Sequence, residues 1–180
     1  MAVKIRGNTL ITAIALFAAM TLFTCATTPG RDGQTRLDIQ DSKAMLRWQF
    51  ERYGGGALAL TDLPSKLIVV TFFTTWSDTC FIQIKALSNL FDRDLKKGFM
   101  VVGVAMDLEG EDAVDPFVRQ LKIRFPVVYA DKDILDGNSP FGRVTTVPTS
   151  FVFSGDGSLL KVYEKIIPAS ELERFTETGF

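Results

Sequence analysis

Histidine is absent from this sequence, and cysteine occurs only twice, as Cys25 and Cys80. The first absence excludes a Cys-His or Ser-His nucleophile pair and any histidine-ligated metal site. Neither sign of charge is in excess: 20 Lys and Arg stand against 21 Asp and Glu, interspersed, for a net charge of -1. There is accordingly no basic stripe to propose nucleic acid and no acidic tail to propose a basic partner. No repeat, low-complexity tract or signature of haem, metal or nucleotide interrupts the chain, and no cofactor is expected. What remains is 180 residues, 47% of them hydrophobic, enough for one sizeable core. A single, monomeric domain is the expectation.

The N-terminal stretch MAVKIRGNTLITAIALFAAMTLFTCATTPG places Lys4 and Arg6 ahead of an uncharged, mostly apolar run from Thr9 to Phe23. That is the layout of a secretory signal, and the run is shorter than the roughly 20 residues a spanning helix needs. Widened to Gly30, the uncharged stretch could instead cross as an uncleaved anchor. Leu22-Phe23-Thr24-Cys25 resembles a bacterial lipobox, in which the cysteine is lipidated and becomes the new N-terminus; Leu22 fits, and Phe23 is bulkier than the pattern favours. Cleavage after Ala26, retention as an anchor, and a buried helix of an unexported chain are the alternatives. Residues 1–26 are thus expected to be a signal peptide, lipoprotein signal or membrane anchor, with Cys25 as the lipid anchor and the product on the periplasmic or extracytoplasmic face. The polar ATTPGRDGQTR that follows reads as a flexible linker over 27–37.

From Asp38 to Tyr53 helical periodicity, Asp41 or Ser42 as N-cap and the stop at Gly54 to Gly56 predict a helical extension over 38–56, ahead of a domain over 57–180. ALALTDLPSK suits a short edge strand. Leu67 to Phe73, LIVVTFF, is continuously apolar or β-branched and suits a strand buried on both faces of a parallel sheet. A helix over about Asp78 to Lys97 follows, with Ile84, Leu87, Phe91 and Leu95 on one face, and then a second buried strand in GFMVVGVAMD. Asp115-Pro116 reads as the cap and first position of a helix running to Lys122, with Ala113 and Val114 as its other possible start. FPVVYAD is a third strand, KDILDGNSPFGRVTTVP is irregular, and TSFVF, SGDG and SLLKVYE form an antiparallel hairpin. Ser170-x-x-Glu173 is a capping box for the last helix. The order predicts an α/β fold: a central mixed sheet with helices on both faces.

That order, with FFTTWSDTC ending the first core strand and VPTSFVFSGDGSLL entering the hairpin, resembles the thioredoxin fold, and within it the membrane-anchored, extracytoplasmic thioredoxins of the TlpA/ResA type. The resemblance covers Leu58 to the C-terminus. It implies that Trp76 ends the aromatic-rich strand and that Val147-Pro148 is a cis-proline step facing the active cysteines. Working members carry Trp-Cys-x-x-Cys, in which the first thiolate attacks a partner disulfide and the second resolves the mixed disulfide. Here Ser77 stands at the first position and only Cys80 remains. Dithiol exchange within this chain is excluded, since a serine hydroxyl has no disulfide to exchange. Asp78-Thr79 replaces the family's frequent Pro-Pro, and a carboxylate in the first helical turn stabilises the helix while repelling a thiolate placed there. The buried acidic residue and the helix-kinking proline that the family sets after its second cysteine correspond to Gln83 and Lys85.

Two functional readings follow. In the first, Trp76, Asp78, Thr79, Val147 and Pro148 bind a protein or peptide partner, with the membrane reached through the N-terminal segment; Ser77 serves as a helix N-cap and Cys80 as packing. In the second, Cys80 with Ser77 beside it is catalytic, either trapping partners as mixed disulfides or acting as a one-cysteine peroxidase. The latter rests on a resemblance to peroxiredoxins, which use Pro-x-x-x-Ser/Thr-x-x-Cys. Ser77-x-x-Cys80 matches half of that motif, Phe73 stands where the proline belongs, and the distant arginine would be Arg143 or Arg124. Phe72, Phe73, Phe151 and Phe153 are expected in the core.

Overall fold

The computed structural model of the chain describes residues 42–177. The expected signal, the linker, Cys25 and the start of the helical extension lie outside the described residues. In chain order the elements are α1 (Ser42–Arg47), β1 (Phe50–Arg52), β2 (Ala57–Leu58), β3 (Leu67–Phe73), α2 (Asp78–Asp94), β4 (Phe99–Ala105), α3 (Glu111–Leu121), β5 (Val127–Tyr129), α4 (Lys132–Asp136), β6 (Thr149–Ser154), β7 (Leu159–Tyr163) and α5 (Ala169–Glu177). The strands form one sheet in the order β2-β1-β5-β4-β3-β6-β7. β3, β4 and β5 run parallel, and the flanking strands are antiparallel to their neighbours.

β3 lies inside the sheet, between β4 and β6, and all seven of its side chains are buried, so it has no face to offer water. On one side Phe73, Cys80, Ile84, Leu87, Phe91, Val114 and Leu172 join a core that α2, α3 and α5 close. Phe73 stacks on Phe117 at 5.5 Å between ring centroids. On the other side Phe72, Phe151 and Phe153 pack with Met45 and Ile134, under α1 and α4. Phe141 meets Phe72 and Phe151 edge-on at 5.2 and 5.3 Å, each ring contributing about 1.5–3 kcal/mol by burial. At Gly103 in β4 a Cβ would stand 3.1 Å from both Phe73 and Phe125, so this strand passes the rings only without a side chain. Thr71 and Ser150 carry a polar bond into this apolar centre, Ser150 Oγ donating to Thr71 Oγ1 at 3.0 Å between two fully buried hydroxyls.

The structure corrects the expected elements at six places. The helix expected to run to Tyr53 stops at Arg47, and Phe50–Arg52 pairs with β5. Trp48 and Phe50 satisfy a two-residue period as well as a helical one, and the open edge of β5 selects the strand. α3 starts at Glu111 after Gly110 (φ 58), with Pro116 in its second turn. Two carboxylates in the first turn favour that start, and exposed Pro116 cannot donate the intrahelical bond to the Asp112 carbonyl. The segment read as irregular holds α4, capped by Asp131 accepting from the Ile134 N–H at 2.8 Å and closed by Gly137 (φ 79). The last helix begins at Ala169, where the Glu171 and Leu172 N–H groups donate to the Pro168 carbonyl, so Ser170 lies in the first turn rather than at the cap. Leu95 is exposed, because α2 tightens into a separate short turn over Leu95–Lys97. The edge strand expected in ALALTDLPSK is only β2, two residues long.

Candidate functional site

β3 delivers its last residue, Phe73, to a short turn through Thr74 and Thr75, after which Trp76 and Ser77 lead into α2. Ser77 has extended backbone angles (φ -94, ψ 121), and its Oγ accepts from the Cys80 N–H at 3.4 Å, the geometry of an N-cap. The same oxygen shares a hydrogen bond with Thr79 Oγ1 at 2.9 Å. Ser77 is thereby occupied as a capping group. Asp78 and Thr79 are exposed in the first turn. The next residue turns inward: Cys80 is fully buried, a free thiol in the core with Ile84 and Leu87. Trp76, by contrast, is 75% exposed.

The strand register brings the second half of the expected site to the same end of the sheet. Thr149 of β6 pairs with Phe72 of β3, which brings the preceding Pro148 to the end of the sheet where β3 finishes at Phe73. The Val147–Pro148 peptide bond is cis, Pro148 is buried and Val147 half-buried. The Thr149 hydroxyl donates to the Thr146 carbonyl at 2.8 Å and ties this turn to the strand behind it. Ser77, Cys80, Trp76 and the cis step thus sit at the ends of two neighbouring strands. The two arginines weighed for a peroxidase are engaged elsewhere. Arg124 donates to Asp92 at 2.7 Å, near the far end of α2, and Arg143 donates to the Asp136 carbonyl at 2.8 Å, beside α4.

Gln83, one turn beyond Cys80 on α2, is fully buried. Its Oε1 accepts from the Ile167 N–H at 2.7 Å; a backbone donor fixes which end of the amide faces it, and leaves Nε2 without a hydrogen-bond partner. The position thus carries a neutral, structural amide. Sequence reasoning passed over Asp107. This nearly buried carboxylate accepts from the Thr75 N–H at 3.0 and 3.2 Å and from the Thr75 hydroxyl at 2.7 Å. It follows β4, whose extension is held by Met106 N–H donating to the Phe73 carbonyl at 2.9 Å. The signal was its place: a carboxylate directly after a buried parallel strand, where the loops of adjacent strands converge. Among the described residues no cluster of His, Cys, Asp and Glu could hold a metal ion.

With this geometry in view, comparison with known proteins is specific. The chain is 33% identical over 113 residues to the thiol-disulfide oxidoreductase ResA of Bacillus cereus, covering 63% of this chain and 61% of that protein. It is 23% identical over 120 residues to sporulation thiol-disulfide oxidoreductase A of Bacillus subtilis, covering 64% and 71%. The matched region thus spans about three fifths of the length of the ResA proteins it resembles. Among solved structures, a thioredoxin family thiol:disulfide interchange protein of Chlorobium tepidum superposes with a TM-score of 0.63 at 24% identity, over 73% of this chain and 92% of that one. StoA of Bacillus subtilis superposes at 0.58 with 20% identity, over 72% and 96%. The fold is thioredoxin-like, a mixed α/β architecture, as the order of elements predicts. A family model described as the AhpC/TSA family matches residues 42–162, two thirds of the sequence, and the chain belongs to that family.

Proposed function

We propose that this chain is an exported, membrane-tethered relative of the thiol-disulfide oxidoreductases whose Ser77-x-x-Cys80 site does not run dithiol exchange and which binds a protein or peptide partner beside Trp76 and Pro148. The observation that carries the reading is the fate of the two positions. Ser77 Oγ is spent on the helix cap and Cys80 is fully buried. Exchange needs a thiolate to attack a disulfide sulfur, forming one S–S bond as another breaks, and then a second thiolate to release the product. One sulfur in the core serves neither step. The exposed Trp76 and the adjoining cis-proline turn remain for recognition.

A second reading keeps Cys80 as a one-cysteine peroxidase and is favoured by the serine three residues before it. In that case the Cys80 thiolate would attack hydrogen peroxide, break the O–O bond and become a sulfenic acid with release of hydroxide, to be reduced again by an external thiol. Thiol labelling against pH, with and without a peroxide pulse, separates the two. Slow labelling near neutral pH, unaffected by peroxide, together with partner capture retained in Cys80→Ala, is expected. Fast labelling that peroxide blocks, with activity abolished in Cys80→Ala, would establish the peroxidase instead.

A further inference from the structure

The two loops at the active end of the sheet carry side chains that the fold does not use. Leu108, just after Asp107, is 83% exposed, and Trp76, just after Thr75, is 75% exposed. The Thr75–Asp107 hydrogen bonds clamp these loops together at 2.7 to 3.2 Å, so the two apolar side chains are presented from adjacent, fixed points. Ile82, on the exposed face of α2 one turn beyond Asp78, adds a third at 54% exposure. An exposed leucine alone means little. A tryptophan and a leucine held out from two loops that a nearly buried carboxylate joins are a surface with a use.

Charge says what kind of use. Residues 74–79 and 106–112 contain Asp78, Asp107, Glu109, Glu111 and Asp112, and no Lys or Arg. Asp107 is turned inward onto Thr75, and the other four are exposed. Asp78, Glu111 and Asp112 also complement the N-terminal ends of α2 and α3, which is reason enough for acids there. Glu109 has no such role, since it precedes α3 next to Leu108. Other basic groups at this end stand on other loops: Arg143 before β6 donates to the Asp136 carbonyl, Lys165 follows β7, and Lys132 pairs with Asp136. The apolar platform is therefore bordered by acids along the two loops and the first turns of α2 and α3, with exposed Lys85, three residues beyond Ile82, the first base reached along α2.

We infer that the partner of this face is a cationic protein segment: an apolar side chain that seats against Trp76 and Leu108, flanked by Lys or Arg that meet Asp78, Glu109 and Asp112. The inference rests on the binding role proposed above and narrows it to a charge class. Electrostatic complementarity of this kind selects partners and accelerates encounter more than it deepens affinity.

The test uses the purified 180-residue chain and two dye-labelled peptides that share a central Phe-Leu pair, one flanked by lysines and the other by glutamates. Fluorescence anisotropy should show the lysine peptide binding and the glutamate peptide not. Raising salt from about 0.01 to about 1 M, which shortens the Debye length from about 30 to about 3 Å, should weaken the lysine peptide progressively. Glu109→Lys with Asp112→Lys, both at exposed positions and with folding checked by circular dichroism because Asp112 also complements the start of α3, should cost about tenfold in its affinity at low salt. Trp76→Ala and Leu108→Ala should each weaken it at every salt concentration. Equal binding of both peptides, lost in Trp76→Ala, would overturn the charge preference and leave the binding role standing. Binding of neither peptide, or binding indifferent to Trp76 and Leu108, would overturn the charge preference and the binding role together.

Discussion

Ser77→Cys puts the missing sulfur back, and the structure says what each redox form of that variant should weigh. In the wild-type protein Ser77 Oγ caps α2 through a rather long bond to the Cys80 N–H, 3.4 Å, and a second bond to Thr79 at 2.9 Å. A thiol is a poor cap, so the reduced variant should lose about 0.5–1 kcal/mol, the lower part of the range for removing a capping hydroxyl. Oxidation would then join positions 77 and 80, closing a loop of four residues. The chain-entropy relation gives about 2 kcal/mol for a loop that short, before any strain. The two forms should bracket the wild type, the reduced one roughly 0.5–1 kcal/mol below and the oxidised one about 1 kcal/mol above. Urea titrations of the three proteins, with the oxidised form verified by its loss of two hydrogens in mass spectrometry, measure this directly. Reductase activity on a protein disulfide should appear in the variant and be absent from the wild type. A folded variant that refuses to oxidise, or oxidises and stays inactive, would show that burial of Cys80 and the changed neighbours Asp78 and Gln83, rather than the absent thiol, hold the site silent. Catalytic disulfide exchange by the wild-type chain would refute the reasoning altogether.

The buried Thr71–Ser150 bond should reveal itself in a double-mutant cycle. Thr71→Val strands the Ser150 hydroxyl between β3 and β6 and should cost about 1–3 kcal/mol, while Thr71→Val with Ser150→Ala should recover most of that loss in urea denaturation. Asp94 supplies a pH signature. Burial alone would raise its pKa, but hydrogen bonds from Lys97 and Arg93 outweigh that and hold the carboxyl below its ordinary value. A depressed folded-state pKa means stability that is fully present above the unfolded value of about 4 and lost as pH falls toward the folded one. Melting temperature should therefore drop on acidification below about pH 4 more steeply in the wild type than in Asp94→Asn, and parallel curves would remove Asp94 from the account.

How far the sequence spoke can be traced residue by residue. β3 was legible to its bounds because LIVVTFF carries burial on both faces in its composition, and α2, β4 and the β6–β7 hairpin for similar reasons. The first turn of α2 was legible too, since Ser77 has the chemistry of a cap. What failed was decided by tertiary context. Trp48 and Phe50 become strand only because β5 leaves an edge open beside them, and no local period reports that. The turn from Trp76 to Cys80 and the cis Val147–Pro148 step were readable as local geometry; Asp107 was not, because its role is a bond across 32 positions to Thr75. Charge placement is also a matter of tertiary context. Evenly interspersed along the chain, it collects on two loops that the parallel strands bring to one end.

The amide at position 83 reaches further than its size suggests. By gripping the Ile167 N–H it fastens the approach to α5 onto the second turn of α2 through a joint in which neither partner can gain or lose a proton. For an exported chain, as proposed above, no cytosolic buffer would hold the surrounding acidity steady. A carboxylate in that seat would turn each swing into a tug on the floor beneath Cys80, whereas glutamine lets the floor stay level.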